Sequence, residues 1–230
     1  MRLHIIRHGD PDYANDSLTP RGRLEAEALR TWVARVRPDR VYSSPRGRAK
    51  LTAELALTGT GLVPPIEDWT AELHDCGSVD SPYVWWDVDG HRLRNPAYLD
   101  GYSWQDQPNL VGTRAEAEIA RINADSDAFL ARHGMVREGG AYRVVPPLVN
   151  NLTVFCHGGL GLCWLAHLLA LPAPLVWAGF FMHTSSVTTV LFDERTPGIA
   201  TPRLLHLGDL THLHLAGIEP SSAGIKANYR

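Results

Sequence analysis

The 230-residue sequence predicts an α/β fold: a three-layer α/β/α sandwich with a mostly parallel central sheet and a long insert forming a lid. Three observations carry this expectation. Short apolar runs of strand length recur, several of them leading into loops that hold glycine or proline. Longer stretches with apolar residues at helical spacing lie between them. The two patterns alternate along the chain, the order that folds into a sheet with helices on both faces.

Leu3 to Ile6 is the first buried strand, ended by the loop Arg7-His8-Gly9-Asp10-Pro11. Thr19 and Pro20 open a helix, one as N-cap and the other at the first helical position. Leu24, Ala28, Leu29, Trp32 and Val36 recur at helical spacing until Pro38 ends the pattern. Arg40 to Ser43 is a second strand. Ser44-Pro45 reads as another cap-plus-proline start, with a helix running to about Leu57. From Val63 to Gly112 periodicity is lost, although the stretch holds Trp69, Tyr83, Trp85, Trp86, Tyr98, Tyr102 and Trp104. It reads as a long insert, at about 63–112, within a single domain spanning 1–230. Long loops of this kind often serve as lids or binding loops.

Thr113 to about His133 is an amphipathic helix with Ala117, Ala120, Ile122, Phe129 and Leu130 among its apolar positions. Asn151 to Cys156 is a third strand. His157-Gly158-Gly159 follows, then an apolar helix from Leu160 to Leu171, closed by Pro172. Val187 to Phe192 and Arg203 to Leu207 are late strands, and Thr196-Pro197-Gly198 suits a hairpin return between them. The tail from Glu219 to Arg230 is expected to order weakly.

Composition narrows the function. Hydrophobic residues make up 44% and charged residues 20%, with a net charge of -3, the profile of a globular protein. No basic face is implied, so neither nucleic acid nor a membrane surface is expected as partner. No apolar run reaches the ~18 residues of a membrane span, and no signal-peptide pattern is present. The expected location is cytoplasmic. The three cysteines, Cys76, Cys156 and Cys163, have no paired spacing, and Cys156 and Cys163, in apolar surroundings, read as buried reduced thiols.

Two histidines each follow a strand and precede a glycine: Arg7-His8-Gly9 and His157-Gly158-Gly159. Ligands of open α/β sheets bind at the carboxyl ends of strands. The helix after His157 aims its first amides at the same place, which favours an anion. A further strand delivers Ser43-Ser44-Pro45-Arg46-Gly47-Arg48-Ala49 to that edge. Arginines, histidines and free amides together suit a compact anion, and phosphate is the natural one.

These segments, with Leu18-Thr19-Pro20-Arg21-Gly22 and Val154-Phe155-Cys156-His157-Gly158-Gly159, resemble the histidine phosphatase superfamily (phosphoglycerate mutase-like, branch 1). The resemblance covers most of the chain outside the insert. It implies that His8 is the nucleophile that becomes phosphohistidine and that Arg7 grips the phosphoryl oxygens. Arg48 matches the family's second arginine, because it directly precedes the alanine of Ser-Ser-Pro-x-x-Arg-Ala, whereas Arg46 is out of register. His157 corresponds to the second histidine of the pocket. The family's general acid is a carboxylate after the second helix, for which Glu67, Asp68, Glu72 and Asp75 stand available. Glu72 is preferred, because Asp68-Trp69-Thr70-Ala71-Glu72 resembles a branch whose acid follows a Trp-x-x step. Asp75 is the rival. Asn15 and His183 are further candidates for substrate contact, and the aromatics of the insert for the roof of the pocket.

The activity so implied is that of a metal-independent histidine acid phosphatase-type phosphomonoesterase. It would act on a small phosphorylated substrate through phosphohistidine, with no cofactor. Phosphoglycerate mutase-type transfer is the alternative. It is weakened because only Asp10 to Ser17 separate the first motif from the Leu-Thr helix start, where mutases carry a longer segment, and because Pro11 replaces a usual hydroxyl residue. A non-catalytic phosphate-binding module is the other alternative, and it would not require a histidine poised for attack. His206, His212 and His214 lack the companion ligands of a metal site.

Overall fold

The structure is a computed structural model that describes residues 1–79, 81–99 and 103–225. Tyr102 and the end of the tail, 226–230, lie outside the described residues. In chain order the elements are β1 (Arg2–Arg7), β2 (Pro11–Asp12), β3 (Ser17–Leu18), α1 (Pro20–Val36), β4 (Arg40–Ser43), α2 (Gly47–Ala56), α3 (Gly90–Leu93) and α4 (Ala115–Ala131). There follow β5 (Met135–Glu138), β6 (Ala141–Val144), β7 (Asn151–Cys156), α5 (Gly158–Leu169), α6 (Ala173–Gly179), β8 (Val187–Thr196), β9 (Ile199–Asp209) and α7 (Thr211–Ala216).

Seven strands form one sheet in the order β4-β7-β1-β8-β9-β6-β5. β4, β7 and β1 run parallel, and the remaining neighbours pair antiparallel. The parallel portion is thus confined to the three strands that feed helices. β8 and β9 form a long hairpin turning at Pro197-Gly198, as the sequence suggests. The β5–β6 hairpin was not legible, because its strands are short and weakly alternating.

Both faces of the sheet are covered, which is why the central strands are apolar on both sides. Ile6 and Phe155 pack with Leu29, Trp32 and Val33 of α1 and Ala53 and Ala56 of α2. Their neighbours Ile5 and Val154 point the other way, into a larger core with Phe129 and Leu130 of α4 and Trp164 and Leu165 of α5. The side-chain period of two in a strand produces this division.

Two local expectations are corrected. α2 begins at Gly47, and its N-cap position is Arg46 without a side-chain cap, so Ser44 does not cap it. The Ser44 hydroxyl is engaged elsewhere, with His157. On α4, Ala117 and Ala120 are exposed, and the buried face is Ala115, Glu118, Ile119, Ile122, Ser126, Phe129 and Leu130. Small alanines fit either face, so the bulkier residues set the stripe. The Thr19 cap does form, accepting from the Gly22 amide.

The insert holds short turns of 3-10 helix and the four-residue α3. Much of it is packed core. Trp85 and Leu93 are fully buried, and Trp85 stacks on Trp177 with ring centroids 6.3 Å apart. Trp69 packs edge-on against Trp164 at 4.8 Å. Aromatics bury large areas, which explains how a stretch without periodicity holds to the domain.

Candidate active site

The parallel strands end at one edge, and each delivers a chemical group there. β1 ends in Arg7 and His8, β4 leads to Ser44, and β7 leads to His157. The antiparallel β8 starts at that edge, so residues 184–186 pack against the first loop. The Ser185 amide donates to the His8 carbonyl at 2.9 Å, and the Arg7 amide to the Ser186 carbonyl at 3.2 Å. Gly9 and Gly22 let the first loop meet the start of α1. A Cβ at Gly9 would lie 2.5 Å from the Gly22 carbonyl oxygen, and one at Gly22 would lie 2.2 Å from that of Asp10.

His8 and His157 pack edge-on with ring centroids 5.2 Å apart and planes at 61°. Both are almost wholly buried. His8 Nδ1 lies 2.7 Å from the Gly9 carbonyl. A carbonyl only accepts, so Nδ1 carries the proton and Nε2 holds a lone pair. Burial, and then the Arg7 charge, lower the His8 pKa to about 3. His157 is pushed well below the ordinary histidine value by burial first, then by His8 and Arg48.

Arg7 is fixed by donation from Nη1 to the Met182 carbonyl at 2.5 Å, and its guanidinium lies 5.9 Å from the Phe181 ring centre. Arg48 donates from Nη1 to Asp16 at 2.6 Å and lies over the Tyr13 ring. In both arginines Nε is buried without a protein partner among the described residues. Two buried guanidinium edges with unmet donors, one at the end of β1 and one in the first turn of α2, suit the oxygens of a phosphoryl group.

Glu72 reaches the same pocket from the insert. Its Oε1 accepts from the Leu160 amide at 2.9 Å and its Oε2 from the Gly159 amide at 3.3 Å. These are first-turn amides of α5, the position that favours an anion. Burial nevertheless raises the Glu72 pKa, outweighing the Leu160 amide and the Arg7 charge. Asp75 sits elsewhere: its side chain is 77% exposed and pairs at 3.9 Å with Arg114. Glu67 is tied to Arg132 at 2.8 Å.

Arg7, Arg48 and Glu72 line a cavity of about 370 Å³ together with Gly158 and Gly159. Its outer wall is largely apolar, with Tyr13, Val84, Trp86, Phe180 and Phe181. Asn15 does not join this wall. It is exposed, and its side-chain amide donates to Asp12 at 2.8 Å. His183 is half-buried against Phe181 at 4.9 Å, close enough to Arg7 that the guanidinium charge lowers its pKa, after burial. Arg46 lies outside the cavity lining. Part of the tail does pack here: Ser221 donates to Asp10 at 2.5 Å, and Gly224 lines the cavity.

Several site residues were not read from the sequence. Asp16 also accepts from the Gly47 amide at 2.7 Å, joining the first loop to the start of α2. Glu25 is fully buried and accepts from the Asp10 amide at 2.9 Å. Glu25 lies mid-helix among apolar positions, the one signal that its carboxylate serves an internal purpose.

Residues 3–137 match the model of the histidine phosphatase superfamily (branch 1). The chain belongs to this superfamily. As a member it is a phosphomonoester hydrolase working through a phosphohistidine. It is 27% identical over 191 residues to an adenosylcobalamin/alpha-ribazole phosphatase of Salmonella typhi, covering 77% of this chain and 84% of that protein. The fold is also that of a phosphoserine phosphatase from Entamoeba histolytica, at 19% identity and a TM-score of 0.61, over 92% of this chain and 98% of the other. A mycobacterial glucosyl-3-phosphoglycerate phosphatase shares it at 23% identity and a TM-score of 0.61, over 90% and 98%. Among the described residues no helix is long and apolar enough to cross a membrane.

Proposed function

We propose that His8 is the nucleophile of this phosphatase, that Arg7, Arg48 and His157 hold the phosphoryl oxygens, and that Glu72 is the general acid and base. The observation that carries this is the 2.7 Å contact between His8 Nδ1 and the Gly9 carbonyl, because it leaves Nε2 as the free lone pair of a neutral ring. Nε2 attacks phosphorus as the bond to the leaving oxygen breaks. The Glu72 proton passes to that oxygen. Water then attacks the phosphohistidine, its proton goes to the Glu72 carboxylate, and the N–P bond breaks to give phosphate. Both transfers depend on positioning and charge stabilisation, which the two arginines supply, so no metal ion or cofactor is invoked.

The apolar wall supports a substrate whose leaving group carries a flat ring rather than a short polar chain. The relative from Salmonella typhi, named as an alpha-ribazole phosphatase, makes alpha-ribazole phosphate the first compound to try. A small phosphorylated substrate met within the cytoplasm fits this reading.

The test is phosphate release from p-nitrophenyl phosphate in the presence of EDTA, with acid-labile phosphoryl transfer to the protein followed in parallel. The wild type should turn over and carry the label, and His8→Ala should do neither. A labelled and active His8→Ala variant would place the nucleophile elsewhere, and loss of wild-type activity with EDTA would refute metal independence.

A further inference from the structure

We propose that Ser44 fixes the tautomer of His157, so that the second histidine presents an Nδ1–H to the phosphoryl group as a neutral donor. Its use in catalysis rests on the phosphatase reading above, but the tautomer itself does not.

The argument follows the hydrogens. Ser44 and His157 are both fully buried, and Ser44 Oγ lies 2.7 Å from His157 Nε2. At that distance one group donates and the other accepts. The Arg46 amide donates to the same Oγ at 3.3 Å, so the hydroxyl already receives one bond. Among the described residues the structure shows no acceptor for the Ser44 proton other than His157 Nε2. A buried hydroxyl without an acceptor costs about 1–3 kcal/mol in general. The hydroxyl therefore donates to Nε2, and the neutral ring must carry its proton on Nδ1.

Nδ1 is buried without a protein partner among the described residues, and the His157 ring packs edge-on to His8. An N–H there meets an incoming phosphoryl oxygen as a donor, whereas a bare nitrogen would oppose it lone pair to lone pair. The relay also resists conversion of His157 to an imidazolium, because a protonated Nε2 would strand the Ser44 hydroxyl. Two adjacent neutral rings are compatible with an unprotonated His8, while a charged His157 would contribute repulsion between the rings whenever His8 passed through a cationic state. This accounts for Ser44 being fully buried beyond the end of β4 instead of capping α2: its hydroxyl acts on the partner ring.

The experiment is nitrogen-detected NMR on protein labelled with 15N-histidine, with His157 assigned by its loss in His157→Gln. The ligand-free wild type should show Nδ1 as the protonated nitrogen and Nε2 as the acceptor. An Nε2–H ring in the wild type overturns the proposal, whether or not the protein hydrolyses phosphate esters. In Ser44→Ala the two tautomers should mix, and kcat/KM for p-nitrophenyl phosphate should fall about ten-fold or more, towards the cost of about 10²–10³-fold for losing an oxyanion donor outright. A Ser44→Ala protein with unchanged tautomer and unchanged kcat/KM would equally overturn it. Should that variant not fold, the wild-type spectrum still decides.

Discussion

Asp16 joins Arg48 to the start of α2: one carboxylate oxygen takes the guanidinium at 2.6 Å and the other takes the Gly47 amide at 2.7 Å. Partial burial pushes the Asp16 pKa up, but the Gly47 amide and the Arg48 charge outweigh it and hold it low. The carboxylate therefore stays ionised at neutral pH. It aims Arg48, and it also cancels part of the charge that would hold phosphate.

Asp16→Asn should remove the charge and keep one accepting oxygen, so that one of the two contacts to Arg48 and Gly47 is given up. Inhibition by inorganic phosphate should then tighten by about two- to five-fold, since a partly exposed ion pair is worth about 0.2–1 kcal/mol. The check is the inhibition constant of phosphate in the two proteins. Weaker inhibition in the variant would mean that orientation of Arg48 outweighs its neutralisation.

Glu72 serves both half-reactions in the proposed mechanism, and its removal should affect substrates unequally. Glu72→Gln is nearly isosteric and keeps one accepting oxygen for the α5 amides, but its side-chain amide cannot give up a proton at neutral pH. Turnover should fall by about 10²–10⁴-fold, the usual range for a positioned acid or base. p-Nitrophenolate leaves without help, so phosphohistidine should still form and then wait for water. Stopped-flow should show a burst of p-nitrophenol followed by a slow phase. An alkyl phosphate, whose leaving group needs the proton, should give no burst. A variant with wild-type turnover on the alkyl ester would return the acid role to another carboxylate.

The choice between Glu72 and Asp75 shows where sequence reading runs out. His8 and His157 are legible because each follows directly from the end of a strand, and strand ends are fixed by short apolar runs, while Arg48 is legible from its place in Ser-Ser-Pro-x-x-Arg-Ala. Glu72 and Asp75 lie on an irregular stretch, where three residues change direction completely. Only the folded chain turns Glu72 towards the Gly159 and Leu160 amides while Asp75, at a positive φ of 55°, faces solvent. Ser44 was misread for a related reason. Ser-Pro before a helix has the composition of a cap, and the partner that claims its hydroxyl lies 113 residues away. The roles of Asp16 and Glu25 are likewise long-range and leave no local pattern.

Acid should destabilise the fold. Burial lowers the pKa of His4 and His212 to about 4 and that of His8 to about 3, and pushes His157 well down. Histidines in the unfolded chain titrate near ~6.5. Between these values the unfolded chain takes up protons that the folded chain refuses, so stability is present above about pH 6.5 and is lost as pH falls towards about 4. Each such histidine contributes a slope of at most about 1.4 kcal/mol per pH unit. Glu25 and Glu72, raised by burial, act in the opposite sense, since the folded chain keeps their protons longer. The histidines outnumber them. Urea midpoints should therefore decline from pH 7 to pH 5, and His4→Gln should decline less steeply. Midpoints that hold level or rise over that range would contradict the sign.

The apolar wall makes the last prediction. Trp86 lies so close to the first turn of α5 that a Cβ on Gly159 would stand 2.6 Å from its indole. The Gly159 amide also binds Glu72 at 3.3 Å, so the indole sits beside the proposed proton donor, where a leaving group must depart. Gly159→Ala should push the indole outward while leaving His8, Arg7 and Arg48 in place. Trp86→Ala should remove the surface altogether. Both variants should lose kcat/KM on aryl phosphates by about two- to twelve-fold, the worth of one aromatic contact of about 0.5–1.5 kcal/mol, and should change little on glycerol phosphate, which is too small to use the wall. Burial of the ring favours binding equally before and at the transition state, so the loss should lie in KM more than in kcat. An equal loss on both substrates would show that Trp86 supports the position of Glu72 rather than the body of the substrate.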